Sequence, residues 1–150
     1  MKELKVSAIK KGTVIDHIHS EEVFKVMDIL KLEKHPEMTS IAINLGSKKM
    51  GKKAIIKIEN KFLTKKEVDK IAIFCPTASL NIIKNYKVAE KTKVRLPETF
   101  ENVIKCPNPN CITNHEEVDT QFRVIKKTPV LMKCHYCERI IDKDHFELVS

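Results

Sequence analysis

The sequence predicts an α+β protein in two parts: a two-layer domain of an antiparallel sheet with two helices, residues 1–97, and a small all-β module, residues 98–150. Strand and helix patterns alternate through the first part, and helical periodicity ends at Leu96-Pro97-Glu98. Four of the five cysteines lie beyond that boundary. With 42% hydrophobic residues among 150, the chain is long enough for one ordinary domain or two small ones.

The first strand and the first helix are adjacent in the chain. Residues 5–9 alternate apolar and polar side chains, and the β-branched run 12–18 predicts that this strand continues past a kink. Ser20 is expected to cap the following helix, with acidic residues in its first turn. Apolar residues then recur at the helical spacing i, i+3, i+4 and i+7 and predict one buried stripe: Val23, Val26, Met27 and Leu30.

The rest of the first part contains strand patterns around a second helix. Strands are predicted at residues 38–45, 54–58, 73–75, 78–83 and 87–94. Residues 46–53 are expected to form a basic loop, and Thr64-Lys65-Lys66-Glu67 matches a capping box that begins the second helix. The order β-α-β-β-α-β with one extra strand is typical of a ferredoxin-like fold.

The charge is distributed unevenly along the chain. The net charge is +8, but residues 1–100 hold 21 basic and 12 acidic residues, whereas residues 101–150 hold 7 and 8. The first part therefore favours anions such as phosphates, and the second gives no reason to expect nucleic acid. No apolar run approaches the ~18 residues of a membrane span, and the charged N-terminus does not match a signal peptide. We expect a cytoplasmic protein that does not contact membranes.

The second part carries two close cysteine pairs. Four residues separate the members of the first pair and two residues those of the second: Cys106 and Cys111, Cys134 and Cys137. This spacing, in a module too small to depend on its own core, predicts one structural Zn²⁺ held by four thiolates in a zinc-ribbon-like fold. Free or disulfide-bonded cysteines are the less favoured alternative. His115 or His135 could each replace a cysteine as ligand, but four sulfurs already fill the shell. Short strands are expected at residues 118–125, 130–134 and 145–149.

Two other functions are compatible with parts of the sequence. A zinc-ribbon nucleic-acid-binding protein agrees with the pI of about 9.2. However, the second part is not basic and only 5% of all residues are aromatic, so we interpret that part as a protein-docking module. An enzyme built on Asp16, His17 and Lys57 lacks a nucleophile and a catalytic motif, and Lys57 alone is most simply a solvent-facing lysine in a strand.

Five motifs resemble one known family across essentially the whole chain and in the same order. They are AIKKGTVIDHI at residues 8–18, IKIEN at 56–60, Asn85-Tyr86 followed by Val88, CPNPNCI at 106–112 and CHYCE at 134–138. The first and fourth motifs are long enough to make the likeness specific. By these motifs the sequence resembles the regulatory chain of aspartate carbamoyltransferase, which is a non-catalytic subunit of an enzyme of pyrimidine biosynthesis.

The resemblance implies that the first domain binds the nucleotide effectors CTP and ATP. In this family the effector site is formed by positions that correspond to Ala8, Ile9, Val14, Asp16, His17, Lys57, Asn81, Ile83, Tyr86, Val88 and Lys91. On this resemblance, Lys91 and His17 are expected to meet the phosphates, and affinity should fall with rising pH as the imidazole loses its proton. Asp16 is expected to bind the ribose hydroxyls, and Lys57 the ribose or the base edge.

The same resemblance implies two protein partners. The zinc domain is expected to dock on the catalytic chain through positions around the metal turns, including Asn108, Asn110 and Glu138. The first domain is expected to form a homodimer with a second copy of itself, so that regulatory dimers bridge catalytic trimers. A nucleotide that binds two quaternary states unequally would then shift the balance between them.

Overall fold

A computed structural model describes residues 8–149, which form two compact units that divide after Arg95. Both units are built on antiparallel sheets, and the α-helices of the described residues lie in the first unit. This mixed architecture, mostly antiparallel sheet with few helices, confirms the predicted fold class. Among residues 8–149, no helix is long and apolar enough to cross a membrane.

Five antiparallel strands form the sheet of the first unit. They are β1 (Gly12–Ile18), β2 (Thr39–Ser47), β3 (Gly51–Glu59), β4 (Ser79–Lys84) and β5 (Lys87–Lys93). Their order across the sheet is β2-β3-β1-β4-β5, so β1 lies in the centre and β2 and β5 at the edges. Two helices connect them, α1 (Val23–Ile29) after β1 and α2 (Lys65–Phe74) after β3.

Side-chain alternation gives this sheet two different faces. On one face Ile15 of β1 lies opposite Ile56 of β3 and Leu80 of β4, and all three side chains are buried. Helix α1 contributes Val23 and Val26, and α2 contributes Ile71. All three side chains are fully buried too, so the core lies between the helices and this face. Alternate residues of the strands project to the other face, and most of the candidate effector residues lie there.

Gly12 begins β1 in a conformation that glycine accepts far more easily than any other residue. Its φ is +145°, and the residue is buried between β3 and β4. A Cβ atom at this position would lie 2.0 Å from the carbonyl oxygen of Ile58. Any larger residue must therefore displace backbone in the centre of the sheet.

Helix capping agrees with the sequence prediction at α2 and not at α1. The Thr64 hydroxyl accepts a hydrogen bond from the Glu67 amide at 3.2 Å, and the Glu67 carboxylate accepts one from the Thr64 amide at 3.0 Å. These two bonds confirm the capping box. The prediction for Ser20 is wrong, because Ser20 begins a 3-10 turn and α1 begins only at Val23. The Ser20 hydroxyl accepts from the Asn44 amide instead.

Two strand predictions for the first unit do not hold as stated. Residues 73–75 are not a strand, because α2 continues through Phe74, and a short apolar run is compatible with a buried helix as well as a strand. Of the strand predicted over 5–9, residues 5–7 lie outside the described part of the chain, and Ala8 and Ile9 are not in a strand. The other predicted strands are present, with ends shifted by at most three residues.

The segment 46–53 belongs to a hairpin and is not the predicted basic loop. Strands β2 and β3 extend into it from both sides, so only residues 48–50 lie outside the strands. The Met50 amide donates a hydrogen bond to the Ser47 hydroxyl at 3.2 Å, and Gly51 follows with a φ of +76°. A three-residue loop with a left-handed glycine is a common hairpin connection.

Short strands form the second unit. They are β6 (Thr99–Glu101), β7 (Ile104–Lys105), β8 (Gln121–Lys127), β9 (Val130–Cys134), β10 (Ile140–Asp142) and β11 (Glu147–Leu148). They make a four-stranded sheet, β10-β9-β8-β6, and the pair β11-β7. The strand predicted at 130–134 is confirmed, whereas β8 begins three residues later than predicted and β11 is shorter. Phe100, Phe122 and Met132 fill the small core.

Candidate functional site

The four cysteines of the second unit converge. Their Sγ atoms all lie within 4.8 Å of one another: Cys106, Cys111, Cys134 and Cys137. The sulfurs of the first and last are 3.6 Å apart, and those of the middle two are 3.8 Å apart. A tetrahedral ion with bonds of ~2.3 Å to sulfur requires sulfurs roughly 3.8 Å apart, so the arrangement fits a tetrathiolate metal site. A disulfide needs about 2.05 Å, and all four cysteines are free.

Backbone and amide hydrogen bonds shape the turn that carries the first cysteine pair. Asn108 accepts from two amides, through its side-chain oxygen from Asn110 at 3.0 Å and through its carbonyl from Cys111 at 3.0 Å. The Asn114 side-chain amide donates to the carbonyls of Cys106, at 2.9 Å, and Asn108, at 2.8 Å. Asn114 could not be predicted from the sequence, because its partners are backbone carbonyls, which no residue spacing indicates.

A tighter turn carries the second pair. The Glu138 amide donates to the Cys134 carbonyl at 3.0 Å, and the Cys134 amide donates to the Arg139 carbonyl at 2.9 Å. Glu138 has a φ of +63°, a left-handed conformation that reverses the chain after the pair. Neither His135 nor His115 belongs to the group of candidate metal ligands found within residues 8–149, and both are exposed. The geometry therefore favours four sulfur ligands over a mixed set.

Burial and hydrogen bonds shift the pKa values of Cys106, Cys134 and Cys137. Burial raises the pKa of Cys106 and of Cys134 above the ordinary range, because a thiolate is poorly solvated there. Burial acts in the same direction on Cys137, but hydrogen bonds from the Arg139 backbone and from neighbouring side chains outweigh it and lower its pKa to about 7. Two of the thiols thus resist ionisation by the protein alone, and a bound cation would supply the compensating charge that thiolate ligation needs.

In the first unit, strand register brings four predicted effector residues into one line. Val14 of β1 lies opposite Lys57 of β3 on one side and Asn81 of β4 on the other. Asn81 in turn lies opposite Lys91 of β5. Directly opposed residues project from the same face of a sheet with Cβ atoms about 5 Å apart. Lys57, Val14, Asn81 and Lys91 therefore form a continuous line across four strands, the register row.

An apolar patch lies beside the register row. Ile9, Val14 and Ile83 are buried against one another, and Ile55 packs on them. Val88 lies opposite Ile83 across the β4–β5 pair and is 58% exposed. The patch therefore extends from buried side chains to an open apolar surface, as a planar ligand would require.

The turn between β4 and β5 exposes Tyr86. Asn85 and Tyr86 have positive φ angles of 51° and 66°, as a two-residue type I′ hairpin turn requires. Tyrosine is uncommon in this conformation, and this one is 66% exposed. The Tyr86 amide donates to the Lys10 carbonyl at 2.9 Å, so the turn is fixed to the segment that follows the exposed residue Ala8.

Asp16 and His17 lie where the pairing of β1 with β3 becomes irregular. His17 has a φ of +58°, and its Nδ1 is hydrogen-bonded to the Ser79 hydroxyl at 2.8 Å. The Asp16 carboxylate accepts from the His17 amide at 2.6 Å and lies 2.9 Å from the Lys53 ammonium. The Asp16 and Lys53 side chains are 19% and 20% exposed, so this ion pair holds the carboxylate in one orientation.

A pocket of about 570 Å³ opens beside His17. It is lined by His17, Lys49, Met50, Pro76, Thr77, Ser79, Lys91, Thr92 and Lys93. Of the predicted effector residues, only His17 and Lys91 line this pocket. Asp16 lies next to the pocket, and the others lie in the rest of the register row or in and beside the apolar patch. Lys49 and Lys93 could not be predicted as lining residues, because a single lysine in a lysine-rich chain carries no signal until the strand register is known.

Two family models match the chain. One describes the allosteric domain of the aspartate carbamoyltransferase regulatory chain and matches residues 4–95, and the other describes the metal binding domain of the same chain and matches residues 98–147. The chain belongs to this family. It is a regulatory, non-catalytic chain with an allosteric domain and a metal-binding domain, and this confirms the family to which the motifs pointed.

Curated relatives agree with the family models. The aspartate carbamoyltransferase regulatory chains of Pyrococcus horikoshii and Pyrococcus abyssi are 56% and 52% identical over 146 residues, with 96% of each chain covered. That of Methanothermobacter thermautotrophicus is 47% identical over 146 residues, which are 97% of this regulatory chain and 94% of its relative. The similarity thus includes both the sheet that carries the register row and the four cysteines.

Proposed function

We propose that the regulatory chain binds CTP and ATP on the open face of its first domain, residues 1–97. The register row is the observation that carries this proposal, because it aligns residues of four strands beside both a pocket and an apolar patch. The pocket is positively charged and the patch is apolar, and a nucleoside triphosphate has a charged end and a planar base to match them.

The phosphates are proposed to enter the pocket. His17 and Lys91 line it and offer N–H donors, and charge-assisted bonds to phosphate are the strong ones. Asp16, held by Lys53 at 2.9 Å, offers a fixed carboxylate to the ribose hydroxyls next to the pocket.

The base is proposed to lie on the apolar patch. Ile9 and Ile83 are buried in it, and Val88 and Tyr86 extend it with exposed surface. The left-handed turn at Tyr86 places backbone groups at the edge of the patch, where hydrogen bonds could distinguish bases. Lys57, in the register row, is assigned to the ribose or the base edge.

We propose Zn²⁺ as the metal of the second domain, residues 98–150, with the four cysteines as its ligands. Sulfur–sulfur distances of 3.6 Å and 3.8 Å fit this ion, and a closed shell of four thiolates makes its role structural. When bound, zinc would join the turn at Cys106 to the turn at Cys134. Such a crosslink stabilises a domain whose core is small.

The second domain is proposed to dock on the catalytic chain of aspartate carbamoyltransferase. Asn110 and Glu138 are exposed on the two cysteine turns, whereas Asn108 is half-buried and shapes the first turn. Glu138 also lines a groove of about 420 Å³ with Arg123 and Lys133. Charges of both signs in one groove suit a protein partner, whereas a phosphate backbone would need a basic surface.

The first domain is proposed to form a homodimer with a second copy of itself. Its edge strand β2 carries Ile41 and Ile43, which are 38% and 44% exposed, and Met38 just before the strand is 51% exposed. An exposed apolar edge strand is a typical association surface. Regulatory dimers would then bridge catalytic trimers and transmit the nucleotide preference for one quaternary state.

Isothermal titration calorimetry of the full chain tests the nucleotide proposal. We expect micromolar binding of CTP and ATP, and weak binding of duplex DNA at physiological salt. If neither nucleotide binds, the proposal is wrong, and salt-resistant DNA binding would favour the nucleic-acid alternative.

Co-purification with the catalytic chain, followed by carbamoyl-transfer rates with and without CTP or ATP, tests the docking and the coupling.

A further inference from the structure

The tip of the β2–β3 hairpin forms part of the phosphate pocket, although no predicted effector residue lies in it. Lys49 and Met50 belong to the three-residue tip 48–50, and both line the pocket of about 570 Å³. The other lining residues come from the end of β1, from the α2–β4 connection with the start of β4, and from β5. The hairpin tip therefore supplies a separate part of the pocket wall.

The charges around this pocket are positive and uncompensated. Lys49, Lys91 and Lys93 line it together with His17, and no carboxylate of residues 8–149 does. Within residues 8–149, none of these three lysines forms an ion pair. Lys53 on the same hairpin differs, because its ammonium is already paired with Asp16 at 2.9 Å. A concave site with this charge favours a ligand that carries several negative charges.

Sheet topology separates Lys49 from the other two lysines. Lys91 and Lys93 lie on the same face of β5, with Cα atoms about 6.6 Å apart. Strand β3, which begins just after the hairpin tip, is separated from β5 by β1 and β4. Lys49 thus approaches the pocket from the side opposite to β5. We expect a phosphate chain that starts at Lys91 to cross the pocket toward Lys49, farther than a single phosphate extends.

We propose that Lys49 binds the terminal phosphates of a nucleoside triphosphate and determines the preference for triphosphates over monophosphates. The proposal rests on the proposed effector function and assigns part of its specificity to a residue outside the register row. The long side chain of Lys49, on a short exposed turn, allows its ammonium to follow the phosphate chain. Phosphate number is then recognised by the hairpin tip, and the base by the apolar patch and the register row.

Calorimetry of the full chain with CTP and with CMP tests this proposal. Lys49→Ala is expected to weaken CTP binding about 5- to 10-fold, the loss of one charge-assisted phosphate contact, and CMP binding less than about 2-fold. Lys48→Ala is the matched control, because Lys48 is an exposed lysine of the same turn that does not line the pocket. Lys48→Ala should change neither affinity more than about 2-fold, because salt screens an exposed charge that does not contact the ligand. Inorganic triphosphate should compete with CTP and show the same loss with Lys49→Ala.

The outcomes separate this proposal from the one on which it rests. Equal weakening of CTP and CMP by Lys49→Ala, or the same effect from Lys48→Ala, would overturn the assignment of Lys49. If the unmodified chain binds CTP and both variants keep its affinities, the Lys49 proposal fails and the effector function stands. If the unmodified chain binds neither CTP nor ATP, both proposals fail.

Discussion

The two domains bring their candidate functional residues together in different ways. The four cysteines belong to two short motifs, each on one turn, and all four sulfurs lie within 4.8 Å of one another. The register row comes from four strands between Val14 and Lys91, and only the pairing of the whole sheet aligns it. The first arrangement depends on a few turns and one ion, the second on a complete core. Metal removal and substitutions should therefore change the stability and ligand binding of the two domains by different amounts.

Removal of the metal is expected to have the largest effect. Structural zinc contributes about 10–16 kcal/mol in small zinc-dependent peptides at neutral pH, so chelation should unfold the second domain. The first domain buries its own core and should remain folded. Hydrogen–deuterium exchange of the full chain should show loss of protection across residues 98–149 only. Equal loss in both domains would contradict the separation.

A backbone substitution in the first domain should have the next largest effect. Gly12→Ala places a Cβ atom 2.0 Å from the Ile58 carbonyl oxygen, and we expect a loss of about 3 kcal/mol in the free energy of unfolding of that domain. Gly46→Ala is the matched control, because no atom lies within 4 Å of the added carbon. It should change stability by less than about 0.5 kcal/mol in urea denaturation. Similar losses from both variants would exclude the close contact as the cause.

Loss of a charge from the register row should weaken binding without unfolding the domain. Lys91→Ala is expected to reduce CTP affinity about 10-fold, because a charge-assisted phosphate contact is lost. Lys84→Ala is the control, since Lys84 is exposed on β4 and does not line the pocket. Calorimetry measures the affinities, and thermal unfolding verifies that both variants fold. An unchanged CTP affinity after Lys91→Ala would remove Lys91 from the phosphate site.

The smallest effect is expected at the capping box of α2. Thr64→Ala removes the hydroxyl that accepts from the Glu67 amide at 3.2 Å, and we expect a loss of about 1 kcal/mol in the stability of the first domain. Thr64→Ser retains the hydroxyl and should retain most of the stability. The unfolding temperature of the first domain distinguishes the two variants. The affinity of the second domain for its metal should be the same in both variants. A Thr64→Ser variant as unstable as Thr64→Ala would show that the methyl group, and not the cap, is important.

The sequence was more informative where structure is local. The capping box from Thr64 to Glu67 and each of the two cysteine pairs are formed by residues close in the chain, and the box and the shared cysteine site were both predicted from spacing. The cap proposed at Ser20 failed because a serine before acidic residues also suits a 3-10 turn. Lys49 and Lys93 escaped notice, because their place in the pocket depends on strand register, which is a long-range property.

The most direct test of the division between the two domains is an NMR titration of the zinc-loaded full chain with CTP. Amide chemical shifts should change most at Val14, Asn81 and Lys91 and at the hairpin tip 48–50. The amide chemical shifts of the two cysteine turns should change little, because the isolated chain has no catalytic partner through which CTP binding could affect the second domain. Changes concentrated in residues 98–149, or none at saturating CTP, would contradict the account.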